Sequence, residues 1–316
     1  MKASRHVVDR ALEASVVGSF SSLGFGIRRR LEHFEDLEPR PGRVILLSGV
    51  TSGLGRYSAL ALAGLGCQVI GIGRNQDRLD DVVADSESLA GSITGYRCDL
   101  SDFDAVTALA SRIRETGVIP EVIIHNAGAL SDTFTTNAQG VEMTLATHLL
   151  GPALLTKLLE VSSQTSVIAM TSGGMYSQAF DLEQLEMTAE NYQGTVAYAR
   201  AKRAQIVLMV HQAWTHECHA LAVHPGWTNT PGLSEALPTF STLLKPVLRG
   251  VEAGADTLLW AATQPLGQPP AGQLYFDRRP RSLFKLPKTK VDESTLHTQG
   301  DALHAWINER LAPWLI

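Results

Sequence analysis

Cysteine is scarce in this chain. Cys67, Cys98 and Cys218 are the only ones in 316 residues, an odd and scattered set that offers no disulfide framework and fits a reducing compartment. Charge of either sign is nearly balanced, with a net charge of -5. Nucleic acid is therefore excluded as a bulk partner, because phosphate binding needs a basic face. No apolar run approaches the roughly 18 residues that span a bilayer, and the N-terminus lacks the apolar core and cleavage site of a signal peptide. These absences point to a cytoplasmic globular protein whose partner is a small molecule.

What is present begins with Val44 to Arg56, VILLSGVTSGLGR. The uncharged run Val44 to Leu47 reads as a strand buried on both faces of a parallel sheet. Gly49, Gly53 and Gly55 follow it, and residues without a Cβ allow a turn to bring bare amides against a pyrophosphate at the next helix's N-terminus. The spacing G-x3-G-x-G is a weak signal alone. Alternating elements support it downstream: a helix over Tyr57 to Leu65, strands at Gln68 to Ile72, Ile93 to Cys98, Val122 to Ile124, Ser166 to Met170, Ala220 to His224 and Gln273 to Phe276. Helices are expected over 102–115, over 141–160 as one long element, from Val196, and over 251–263. The fold class this predicts is α/β, a single doubly wound Rossmann-type domain with a mainly parallel sheet, spanning 43–276. Residues 1–42 form an N-terminal extension and 277–316 a C-terminal one.

The N-terminal extension carries Val16, Val17, Phe20, Leu23 and Phe25 and ends in Arg28, Arg29 and Arg30. One reading is contact with an anionic membrane surface; the favoured one is packing on its own domain or on a subunit partner in a homo-oligomer. Residues 228–249, with their interrupted apolar pattern, suit a lid over a greasy substrate or an ordinary covering loop.

Candidate chemistry gathers at strand ends. Arg74 closes the second strand where a βαβ nucleotide fold faces the adenosine ribose; an arginine there takes a 2′-phosphate and no acidic residue competes. NADP(H) is accordingly favoured over NAD(H). Asp99, before Leu100, either accepts the adenine amino group or caps its own turn. Tyr198 and Lys202 lie four residues apart and share one helix face. A tyrosine is a poor proton donor or acceptor near neutral pH, with a reference pKa of about 10. An ammonium one turn away stabilises the phenolate, so Tyr198 could exchange a proton with an alcohol or carbonyl oxygen that Ser172 holds.

The order of glycine turn, strand-end Asn126-Ala127-Gly128, strand-end Ser172 and then Tyr-x-x-x-Lys resembles the short-chain dehydrogenase/reductase family over about residues 43 to 276. The resemblance implies that Ser172, Tyr198 and Lys202 are catalytic. It implies cofactor contacts from Gly49, Ser52, Gly53, Leu54 and Gly55, from Arg74, Asp99 and Leu100, and from Asn126, Ala127 and Gly128. Tyr198, Lys202, Pro225, Gly226 and Thr228 would complete that set. Ser-Gly-Gly-Met from 172, His-Pro-Gly-Trp from 224, Thr-Pro-Gly from 230, Gly-Ala-Asp-Thr from 254 and Phe-Asp-Arg from 276 resemble the member-12-like branch. There are two departures. Ser48 stands where the family usually has threonine, and His148, in Thr-His-Leu-Leu-Gly, stands where it has a catalytic asparagine.

An imidazole can also hold a relay water, and beside Lys202 it is expected to be neutral. The other reading of His148 is a helix histidine bonded to a backbone carbonyl. The resulting expectation is an NADP(H)-dependent oxidoreductase for an apolar carbonyl or secondary alcohol, with an NADP(H)-binding sensor as the alternative. A metal is not expected: His211, His216, Cys218 and His219 match no zinc spacing, and Ser172 lacks the G-x-S-x-G elbow of a serine hydrolase.

Overall fold

The computed structural model describes residues 2–315. Its centre is an eight-stranded sheet in the order β3-β2-β1-β4-β5-β6-β7-β8. The strands are β1 (Val44–Ser48), β2 (Gln68–Gly73), β3 (Ser92–Arg97), β4 (Val122–His125), β5 (Ser166–Met170), β6 (His219–Val223), β7 (Leu274–Phe276) and β8 (Arg279–Arg281). Every pairing is parallel except β7 with β8. Ile45, Leu46 and Leu47 are wholly buried, as a strand covered on both faces requires. Chain order reverses between β1 and β4, and a crevice opens beyond their carboxyl ends.

One face of the sheet carries α4 (Gly53–Gly64), α5 (Gln76–Asp85) and α12 (Val251–Thr263). The other carries α6 (Phe103–Glu115), the segment from α7 (Met143–Leu145) to α8 (Gly151–Leu158), and α9 (Gly194–Trp214). A helix buried on most of its circumference needs cover on its outer side as well. For α9 the outer cover is α13 (Glu293–Leu311), whose Leu303, Ile307 and Leu311 are fully buried.

The expected helix over 141–160 is interrupted. Residues Ala146–Leu150 form a π-helical turn between α7 and α8. The lid segment 228–249 is also more regular than expected, with α10 (Pro231–Ala236) and α11 (Pro238–Leu244) each starting on a proline, the position where its missing N–H costs nothing. The side chain of Phe240 lies outside what is described. Beyond the expected last strand, β8 adds an antiparallel edge through a turn at Asp277 and Arg278, both with positive φ.

The N-terminal extension forms α1 (Lys2–Ala14), α2 (Val16–Phe20) and α3 (Ser22–Glu32). It packs on the body: Arg28, 1% exposed, pairs with Asp9, Glu13 and Asp277, and Asp9 also pairs with Arg281. Among the described residues no helix is long and apolar enough to cross a membrane.

Candidate active site

The turn between β1 and α4 meets the end of β4 in close backbone contact. Gly49 has φ +77, and a Cβ there would lie 2.9 Å from Ala127 Cα; a Cβ on Gly55 would lie 2.0 Å from the Gly49 carbonyl oxygen. Only glycine fits such approaches. Ser48, the departure from threonine, uses its hydroxyl as a stitch, accepting from the amides of Asn126 at 3.1 Å and Ala127 at 3.0 Å. The Asn126 side chain donates to the Ser48 carbonyl at 2.9 Å. Asn126, Ala127 and Gly128 are thereby fixed against the glycine turn.

These residues fit a dinucleotide. Ser52 precedes α4 without capping it by its side chain, which leaves first-turn amides free for an anion. At the end of β2, a Cβ on Gly73 would come 2.5 Å from Thr51 Cγ2, so a side chain there, such as the carboxylate that would select an unphosphorylated ribose, would have to displace Thr51. The Arg74 side chain is 70% exposed, and among the described residues its one ion pair is a long 3.7 Å contact to Asp99. Asp99 takes the capping role weighed above, accepting from the Ser101 amide at 2.9 Å and hydroxyl at 2.7 Å. Leu100 is buried. Across the cleft Thr228 is buried and donates to the Pro225 carbonyl at 3.0 Å.

Ser172, at the end of β5, hydrogen-bonds Tyr198. Lys202 is 3% exposed, with Nζ 5.6 Å from the Tyr198 ring centre and donating to the Met170 carbonyl at 2.8 Å. Burial lowers Lys202 to about 7. Burial also raises Tyr198, against the hydrogen bond from Ser172. The packing that brings the pair together also strips water from both.

His148, on the π turn, stands edge-on to Tyr198 with ring centres 5.1 Å apart. Its Nε2 lies 2.7 Å from the Ala129 carbonyl oxygen, so the backbone-carbonyl reading holds for one nitrogen while Nδ1 has no partner. Burial, then the charge of Lys202, lowers it to about 3. Behind it a cavity of about 20 Å³ is lined by His125, His148, Thr156 and Gln205 among apolar residues, room for one water. His125 Nδ1 and Gln205 Oε1 are likewise unpartnered.

Sequence reasoning missed several of these groups. Gln205 donates to the His148 carbonyl at 2.6 Å. Arg203, beside Lys202, holds the turn after Ser172 by donating to Met175 and Gln178 carbonyls, each at 3.1 Å. Buried polar side chains inside the apolar face of α9 were the available signal. Of the suggested metal residues, His211 bonds His304 and His219 bonds Ser166.

Several known proteins are similar to this chain. A family model described as short chain dehydrogenase matches residues 43–182. Dehydrogenase/reductase SDR family member 12 of Homo sapiens is 34% identical over 256 residues, 78% of this chain and 80% of its own. Polyprenol dehydrogenase of Homo sapiens is 28% identical over 307 residues, 90% of this chain and 92% of its own. Among solved structures, a short chain dehydrogenase from Burkholderia cenocepacia in complex with NADP superposes with a TM-score of 0.60 at 19% identity, covering 74% of this chain and 95% of that one.

Proposed function

Since the chain belongs to the short-chain dehydrogenase/reductase family of oxidoreductases, we propose that it interconverts an apolar carbonyl compound and its secondary alcohol with NADP(H). The observation that carries the reading is the meeting of Ser172, Tyr198, Lys202 and His148 beside the crevice at the β1–β4 reversal. The nicotinamide would supply or take the hydride. Gly49, Gly53, Gly55 and the first turn of α4 would hold the pyrophosphate, and Arg74 the 2′-phosphate. Ser172 would hold the substrate oxygen while Tyr198 gives or takes the proton there. Lys202, with Nζ 5.6 Å from the Tyr198 ring centre, would tune the tyrosine, and His148 with the water site behind it would pass protons to this pair.

Support for an apolar substrate comes from the half-buried Trp227, Leu233, Leu237 and Leu244 on the segment that follows β6, and from a relative whose name specifies polyprenol; Met175, expected at the pocket mouth, is wholly buried in the core. Three buried, unpaired cysteines are in keeping with a cytoplasmic setting. The test is steady-state NADPH consumption with a panel of ketones. Turnover of long-chain or polycyclic ketones above short polar aldehydes and sugars is expected. Nucleotide binding without turnover of any of them would make the protein a sensor instead.

A further inference from the structure

Two walls of the site rest on the same foreign corner of the chain. The turn between α2 and α3, Ser19 to Ser21, reaches under the loop Pro225 to Thr228. The Trp227 amide donates to the Phe20 carbonyl at 2.9 Å, and the Trp227 carbonyl accepts from the Arg249 amide at 2.7 Å. The Phe20 ring meets Trp227 edge-on at 5.8 Å and stacks on His224 at 4.6 Å. His224 Nδ1 in turn accepts from the Gly226 amide at 2.8 Å. The opposite wall is backed too: a Cβ on Gly173, next to Ser172, would lie 3.4 Å from both Phe20 Cε2 and His224 Nε2.

Arg249, 1% exposed, ties this corner down. Its Nε donates to the carbonyls of Phe20 at 3.0 Å and Ser21 at 3.2 Å, and its Nη2 to that of Ser19 at 3.0 Å. The fork closes on Asp277 at 2.6 and 3.0 Å. Gly226 passes so near, at φ +73, that a Cβ would fall 2.4 Å from Arg249 Nε. A buried ion pair stabilises a fold no better than apolar packing of equal volume as a rule. What a guanidinium adds is direction, since its donors are planar and fixed.

We propose that the Ser19–Ser21 corner is a working part of the active site: through Phe20 and the positioning residue Arg249 it sets where Trp227 and the Pro225–Thr228 loop stand over the reacting centre. This rests on the oxidoreductase reading for its kinetic readout alone. Arg249→Lys keeps a charge for Asp277, but three donors on one atom cannot serve the three carbonyls and both Asp277 oxygens at once. Phe20→Leu keeps the corner apolar and removes the ring behind Trp227.

The variants are measured for melting temperature, NADPH affinity and kcat/KM, with rates normalised to NADPH-binding sites so that unfolded protein does not count. Arg249→Lys is expected to lower kcat/KM for the preferred ketone about tenfold or more, chiefly through KM, in the protein that still binds NADPH. Phe20→Leu is expected to change the ratio of kcat/KM between bulky and small ketones about fivefold or more. Unchanged normalised kinetics in both variants, with only the melting temperature lowered, would reduce the corner to scaffolding and overturn the proposal. A readout without turnover uses Trp227 emission, with Trp227→Phe as blank. Acrylamide quenching of Trp227 should rise at least about twofold in both variants, even if wild type reduces no ketone. Quenching equal to wild type would also overturn the proposal.

Discussion

In the proposed reaction Tyr198 acts on the substrate oxygen and makes no contact that a phosphate or adenine would need. Tyr198→Phe should therefore cut turnover by about 10²- to 10⁴-fold while NADPH titration gives near wild-type affinity; an active phenylalanine variant would remove the mechanism. Arg74 makes the complementary case. Exposed and bound only loosely to Asp99, its guanidinium is free for a phosphate, a charge-assisted contact worth about 1.5 to 3 kcal/mol. Arg74→Ala should erase a preference for NADP(H) over NAD(H) of about ten- to a hundredfold, read from the two dissociation constants. For His148, held neutral by burial and by Lys202 down to about 3, charging would disturb the relay only in acid. His148→Asn should keep the neutral-pH rate and flatten the acidic limb, whereas His148→Leu should lose rate without losing NADPH. A leucine variant as fast as wild type at every pH would place the relay elsewhere.

At the scale of elements, the strands were legible because a buried parallel strand leaves a short uncharged run, and β1, β4 and β5 each do. The π turn was not, since its apolar residues continue the pattern of α7 and α8 and only the backbone register changes. β8 was hidden for two reasons: its Arg-Pro-Arg sequence reads as loop, and its turn uses Asp277 and Arg278 at positive φ where a glycine would have announced a hairpin. The Ser172, Tyr198, Lys202 set was legible from spacing along the chain. Phe20 and Arg249 were not, because their pairing spans 229 residues and nothing local encodes it. The cover that α13 gives α9 has its own test. Leu303 is fully buried between them, and Leu303→Ala should cost about 2 to 5 kcal/mol of stability in urea titration; a cost below about 1 kcal/mol would show that α13 is dispensable to the core.

On the whole molecule, burial favours neutral histidines: His125 is lowered to about 4, His148 and His224 to about 3, and His219 is lowered too, each first by burial. A depressed histidine binds fewer protons folded than unfolded, so its share of stability is present above the unfolded value of about 6.5 and is lost as pH falls toward the folded value. Asp9 adds to this in stronger acid: burial would raise it, but Arg281 and Arg28 hold it at about 2, so its contribution fades as pH falls below about 4. The melting temperature should begin to fall below about pH 6.5 and fall further below about 4; a flat profile from pH 7 to 4 would contradict the buried histidines.

The pairing of Arg28 with Asp277 also has a consequence in time. The two are 249 residues apart, and synthesis at about 5 to 20 residues per second puts an interval of roughly 12 to 50 s between their emergence. For that interval α1 to α3 lack Asp277, one of the three acids that hold Arg28, and for most of it they also lack the loop after β6 that receives Phe20. The first part of the chain to be made is thus among the last to dock, and a nascent chain halted before β7 should expose Arg28 and Phe20 to chaperones and proteases that never reach them in the finished protein.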